Sequence, residues 1–426
     1  MKKIVKTLIL AGSIFVLISC ASNSVNQEKS QETEVKEISN HPFGIENEVY
    51  QELMDKAVIS IGNDYRLKKV IEKLRAGEDV YIAALGGSVT EGAGPQNFRD
   101  GYAYQFCRKL NASYTSNNGE KVHVAYAGLS GTPSSLGLTR YESDVVQRLG
   151  HLPDLLIIEF AVNDDGSEEQ ARTFEALVRN ALEANEETAV IALYSAATYG
   201  NQAFNRKSIA EYYRIPQIDV LPVVKDGIAK GKFSQKDYYT DNVHPTKDGH
   251  EFQADCLMTL VNKTDEQNLN DSAEIPQEWL KAKPLTNFTR ILGDDENVKI
   301  QAGGFNGTDF TTQSIKETGK GNFPQNWYHQ AGSSGDSFIM EITCKALIFT
   351  YKEQGSWLNE KFGKAEVYVD GKLKATFDGG KEGGWCNCVP KFIIDESELA
   401  SHTVEVRMAK GCEKDGFTIV AMGYSK

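Results

Sequence analysis

What this sequence lacks narrows its function first. The 426 residues carry a formal net charge of −13. No basic stripe dense enough to neutralise phosphates appears, which excludes a nucleic-acid binder. Long apolar runs are missing too. The segment Leu8 to Ser19 is too short to span a hydrocarbon layer of about 30 Å. Cysteine is scarce, seven in all, and ahead of residue 300 it is too dispersed to form a zinc module. Neither a metal nor an organic cofactor is implied.

What is present begins with an address. Lys2, Lys3 and Lys6 precede the short apolar run, which ends in Leu17-Ile18-Ser19-Cys20. This resembles a bacterial lipoprotein signal covering residues 1–20, and the resemblance implies lipidation of Cys20. Residues 21–42, rich in Ser, Asn, Gln, Glu and Lys, cannot bury a core and read as a flexible tether. The expected protein is exported and held at the cell envelope by a lipid anchor only.

From residue 43 to 262 apolar strands alternate with helical patterns. Val80 to Leu85, Lys121 to Ala127, Leu155 to Phe160, Ala189 to Tyr194 and Ile218 to Leu221 read as strands. Helical spacing appears at Asn63 to Arg75, Tyr102 to Leu110, Leu138 to Leu149, residues 168–184, Lys207 to Tyr213 and Asp248 to Val261. Such alternation predicts a three-layer α/β/α domain on a parallel sheet, with ligands gathering at the carboxyl ends of the strands.

Residues 263–287 are polar, contain Pro276 and Pro284, and read as a linker. From residue 288 to 426 the period becomes two. Asp370-Gly371 sits inside an alternating run from Ala365 to Phe377, a hairpin signal. An all-β sandwich, jelly-roll-like, is expected there. In an exported β domain, Cys344, Cys386, Cys388 and Cys412 suggest two disulfides, with three pairings open. Trp327, Tyr328, Trp357 and Trp385 suggest a sugar-stacking surface, although aromatic residues in a sandwich are more often core.

Four short blocks could carry chemistry. The first strand ends in Gly86-Gly87-Ser88, which throws a serine out at the sheet rim. Asp241 and His244 stand three apart before the last helix, a spacing that lets the carboxylate hold one ring nitrogen and leaves the other free to take a proton. Gly131, after the second strand, and Asn163, after the third, land on the same rim. A backbone N–H and a side-chain amide there can hold an oxyanion. His123, His250, His329 and His402 are poorer candidates, placed in strand, helix or β-domain patterns.

In their order these blocks resemble the SGNH, or GDSL-type, hydrolases, over roughly residues 63 to 262. Gly86-Gly87-Ser88 with Thr90-Glu91-Gly92 stands where the family has its Gly-Asp-Ser block. Ala127-Gly128-Leu129-Ser130-Gly131, Ala161-Val162-Asn163-Asp164 and Asp241-Asn242-Val243-His244 match the other three. Gly94 to Tyr104 looks like a branch found in bacterial surface and polysaccharide-degrading proteins. The resemblance implies Ser88, Asp241 and His244 as catalytic residues, with Ser88, Gly131 and Asn163 forming the oxyanion hole. It departs at Gly87, which replaces an acid that helps order the nucleophile loop, and at Ala161, whose methyl is expected to narrow the acyl pocket. The implied function is a serine esterase removing O-acetyl groups from a glycan. Lipase-like or thioesterase activity, and glycan binding without catalysis, are the alternatives.

Overall fold

The computed structural model describes residues 41–426, apart from 116–118, 269–270, 294 and 320–322. The signal peptide, Cys20 and nearly all of the tether lie outside the described residues. β1 (Val58–Ser60), β2 (Val80–Gly86), β3 (Val122–Gly128), β4 (Leu155–Glu159), β5 (Ala189–Tyr194) and β6 (Gln217–Asp219) form one sheet in the order β1-β6-β5-β4-β2-β3. All neighbours are parallel except β1, which pairs antiparallel with β6. That edge strand and the helix Asn47–Ala57 before it are additions to the sequence expectation. Three residues are too few to show a period.

Side-chain alternation explains why the central strands need cover on both faces. Val80, Ile82 and Ala84 of β2 enter one core and Ala83 and Leu85 the other; Leu155 and Ile157 of β4 oppose Leu156 and Ile158 in the same way. Each fully buried Leu or Ile contributes roughly 2 kcal/mol. The helix Glu168–Ala184, capped by the Ser167 hydroxyl, buries Phe174, Leu177, Val178 and Leu182 on the second face. The helix expected at Leu138–Leu149 starts earlier, at Ser134. It widens into a π segment over Glu142–Val146 and closes at Gly150.

The second domain is antiparallel. β7 (Thr289–Arg290), β8 (Val298–Gln301), β9 (Trp327–His329), β10 (Phe338–Glu353), β11 (Lys364–Val369), β12 (Lys372–Asp378), β13 (Asn387–Met408) and β14 (Phe417–Ser425) enclose one core. A register shift between Cys344 and Ala346 divides β10. Its first half pairs with β8 and the end of β13, its second with β14 and the start of β13. The hairpin from β11 to β12 turns on Asp370 and Gly371, both at positive φ, as a tight two-residue turn requires.

The segment expected as a linker is docked. Helix continues to Glu266. Further on, the Arg179 guanidinium donates to the carbonyls of Pro276, Gln277 and Glu278, while Glu175 accepts the N–H groups of Leu280 and Lys281. The domains also share a small core of Leu129, Leu136, Ile315, Phe323, Cys388, Val420 and Ala421. A flexible hinge would lose that burial.

The two expected disulfides are not formed. Cys344, Cys386, Cys388 and Cys412 all stand as free thiols. Cys388 lies opposite Lys352 and Cys344 opposite Ala400, about eight residues apart along the β10–β13 ladder. At about 3.3 Å per residue along a strand they are far beyond bridging distance. Cys412 packs against Gly363 instead.

Candidate active site

Strand register brings the motif blocks together. Gly86 of β2 is the partner of Gly128 on β3 and of Glu159 on β4, so the three strands end level. Ser88, Gly131 and Asn163 each follow within a few residues, on one edge. Ser88 opens a single helical turn, Ser88–Glu91, and is only 5% exposed.

His244 arrives from the loop before the helix Lys247–Glu266. Asp241 Oδ1 accepts the backbone N–H groups of Val243 and His244, at 2.7 and 2.8 Å, which tightens that loop into a turn. Its Oδ2 accepts from His244 Nδ1 at 2.7 Å. With Nδ1 carrying the proton, Nε2 is left as an acceptor, and the Ser88 hydroxyl donates to it at 2.9 Å. Burial would raise the Asp241 carboxyl, but the hydrogen bonds from the His244 ring and the two N–H groups outweigh it and hold it below the usual carboxylate range. Asp241 is therefore an anion at neutral pH, suited to steady an imidazolium.

Gly87 makes room for Asn163. A Cβ on residue 87 would lie 1.8 Å from Asn163 Oδ1, so the amide lies against the bare Cα beside the serine. Ala161 does not line an acyl pocket as expected. It is buried in the core on its face of the sheet, and its carbonyl accepts from Gln202 N–H. Gly131 has a φ of +66° and lies under the Trp385 ring. Of the four expected stacking residues, Trp327 and Tyr328 pack in the β domain against Phe338 and Phe362. Trp357 (64% exposed) and Trp385 (41% exposed) face solvent; Trp357 lies beside Gly355 and Trp385 beside Gly131.

Several supporting residues carry no motif. The fully buried Arg140 donates to the carbonyls of Gly86 and Ala127, tying together the ends of β2 and β3, and pairs with Asp144. A charged residue on an otherwise apolar helical face is the signal that could have marked it. Thr90, two residues after the serine, hydrogen-bonds Tyr102 and Glu159. Asp164 receives Arg206 and the Ser134 N–H, holding the turn after β4. His250 is structural: its Nδ1 accepts from Tyr102 N–H, so its Nε2 donates to Ala93 O. His123, His329 and His402 bind Asp79, the Asp415 carbonyl and Asp370, away from the relay. Among the described residues no cluster of acids, His or Cys is arranged to hold a metal, and no helix is long and apolar enough to cross a membrane.

Two of these buried groups oppose each other in pH dependence. Burial pushes Glu159 from 4.5 up to about 7. Between those values the folded state keeps a proton that the unfolded chain releases, so stability falls as pH rises. Burial pushes His250 from 6.5 down to about 4. Below 6.5 the unfolded chain gains a proton that the folded state refuses, so stability falls as pH drops. Glu159→Gln removes the first slope and keeps the second. Its Tm is expected to fall more steeply than that of the wild type from pH 6.5 to pH 4.5; parallel melting profiles would show that Glu159 is not a buried acid.

This fold and site define a class. The α/β domain belongs to the GDSL-like lipase/acylhydrolase family, whose model matches residues 84–252, and the protein is a carboxylic ester hydrolase of that family. Across both domains it is similar to a two-domain esterase (CEX) active on acetylated mannans. The two are 25% identical with a TM-score of 0.72, over 88% of this chain and 98% of that one. The same esterase co-crystallised with mannopentaose aligns at 25% identity and TM-score 0.74 over the same shares. A catalytic mutant of Axe2, an acetylxylan esterase from Geobacillus stearothermophilus, is 16% identical, at TM-score 0.37 over 47% of this chain and 98% of that one. No curated protein sequence matches the chain.

Proposed function

We propose that this esterase removes O-acetyl groups from a polysaccharide, with Ser88 as nucleophile, His244 as general base and Asp241 as its orienting anion. The reading rests on the continuous hydrogen-bond chain from Ser88 Oγ through the His244 ring to Asp241. His244 Nε2 takes the hydroxyl proton as Ser88 Oγ bonds to the acetyl carbonyl carbon. The resulting oxyanion is held by the N–H groups of Ser88 and Gly131 and the Asn163 amide. His244 then protonates the departing sugar oxygen. Water, activated by the same nitrogen, attacks the acetyl-serine and releases acetate. Every proton passes through one imidazole, and no step requires a metal.

A glycan acceptor is supported by Trp385, an exposed ring beside Gly131 on which a sugar face can stack, and by Trp357, exposed beside Gly355 in the same domain. The similarity to an esterase active on acetylated mannans makes mannan the first substrate to try. Lipidation at Cys20 would place the enzyme at the cell envelope, where polymers too large to enter are met. Acetate release from acetylated mannan, xylan and pectin tests the reading, with mannan expected to react fastest. On p-nitrophenyl esters, acetate is expected to exceed octanoate. A marked preference for octanoate would favour the lipase-like alternative, and no acetate from any glycan would remove the carbohydrate assignment.

A further inference from the structure

The loop that carries Gly131 is assembled from both domains. From the α/β side, Leu129 N–H donates to Gly86 O at 3.0 Å, the Thr132 hydroxyl to Leu129 O at 2.7 Å, and the Ser130 hydroxyl to Glu91. None of these contacts touches the Ser130 carbonyl. Its partner comes from the β domain: Gln313 Nε2 donates to Ser130 O at 2.9 Å. The other end of the same amide is also tied, because Gln313 Oε1 accepts Cys388 N–H at 2.9 Å. A backbone N–H can meet only the oxygen, so this bond settles which end of the amide faces Ser130. Cys388 is buried at the start of β13, paired with β10. The Gln313 amide, on a segment outside the strands, is therefore anchored to the sheet through its oxygen.

The Ser130 carbonyl and the Gly131 N–H are opposite ends of one planar trans peptide. Fixing the oxygen fixes the direction of the N–H. That peptide has reason to need fixing. Gly131 sits at φ +66°, the region that the third residue of a type II turn occupies, and glycine reaches negative φ about as readily. A flip of the 130–131 peptide would turn the N–H away at little intrinsic cost. We propose that Gln313 is a positioning residue for the oxyanion site, holding the Ser130–Gly131 peptide with its N–H toward the Ser88 centre. The proposal rests on the esterase reading above. It gives the β domain a part in the chemistry that does not depend on binding sugar. Trp385 reinforces it by covering the Gly131 Cα, where a Cβ would come within 2.7 Å of the ring.

The test uses p-nitrophenyl acetate, which carries no sugar, and the full chain. Gln313→Glu keeps the acceptor for Cys388 N–H and loses the donor to Ser130; Gln313→Met keeps the volume and loses both. Each is expected to lower kcat about tenfold or more, with KM within about twofold and the pH profile unshifted, since the His244 relay is untouched. Tm should hold. A folded variant with wild-type kcat, a loss confined to KM, or a loss explained by a fall in Tm would each overturn the proposal. Ser88→Ala, assayed in parallel, separates the two readings. Retained turnover there sinks the esterase mechanism, whereas an inactive Ser88→Ala beside a fully active Gln313→Glu sinks only the positioning role.

Discussion

Ser88→Ala is expected to lower p-nitrophenyl acetate turnover by about 10⁴- to 10⁶-fold while leaving the fold intact. The hydroxyl is hydrogen-bonded to His244 Nε2, 2.9 Å away, and so is placed to give up its proton there as it attacks. What would remain is the oxyanion site acting on direct attack by water, a residual that is far slower. Removing one oxygen from a side chain that opens a short helical turn disturbs no core contact, so Tm should change by no more than a few degrees. Labelling by a fluorophosphonate should vanish with it. Turnover within tenfold of wild type would mean that another residue attacks the ester.

Gly87→Asp restores the residue usual at this place in the family, yet here it is expected to reduce kcat about 100-fold or more. The backbone raises no objection, since φ at Gly87 is −88°. The obstacle is contact: any Cβ would fall 1.8 Å from Asn163 Oδ1 and force the amide aside. An oxyanion donor of this kind is worth about 10²–10³ in kcat. Gly87→Ala should do nearly as much harm, because the clash begins at the first carbon. Adding Asn163→Ala to either variant should cost little more, since both changes remove one interaction. An active Gly87→Asp enzyme would show that Asn163 stands elsewhere when substrate is bound. The departure from the family at position 87 is thus paired with the placement of Asn163, and the sequence taken position by position could not reveal that pairing.

Much of the site was legible because its residues sit at strand ends. Val80–Gly86, Val122–Gly128 and Leu155–Glu159 are apolar runs of strand length, and a parallel sheet must align their carboxyl ends. Ser88, Gly131 and Asn163 therefore had to share an edge. Asp241 and His244 were readable for a local reason: three residues in a turn suffice to join carboxylate and ring. The Asp370-Gly371 hairpin was local in the same way.

What escaped the sequence depends on contacts between distant segments. Ala161 looked like a pocket wall because its neighbour Asn163 is in the site, but the turn after β4 buries its methyl in the core. The cysteines looked paired by number alone, while β10 and β13 hold Cys344 and Cys388 about eight residues apart along one ladder. Arg140 shows in the sequence only as a charge on an apolar helical face, and Glu159 and Gln313 lie in segments whose patterns announce nothing. Their importance comes from which carbonyl or hydroxyl the fold brings to them.

The sequence by itself determined the class of chemistry and the edge on which it is proposed to occur, because the candidate nucleophile, base and oxyanion donors are set by short motifs at the ends of regular elements. Only the tertiary structure decided how that edge is supported. The Ser130 carbonyl lies 183 residues from Gln313, and a hydrogen bond across that separation leaves no period, spacing or composition to read. It exists because the two domains close over a shared apolar core, and burial of that core specifies geometry that no local propensity encodes.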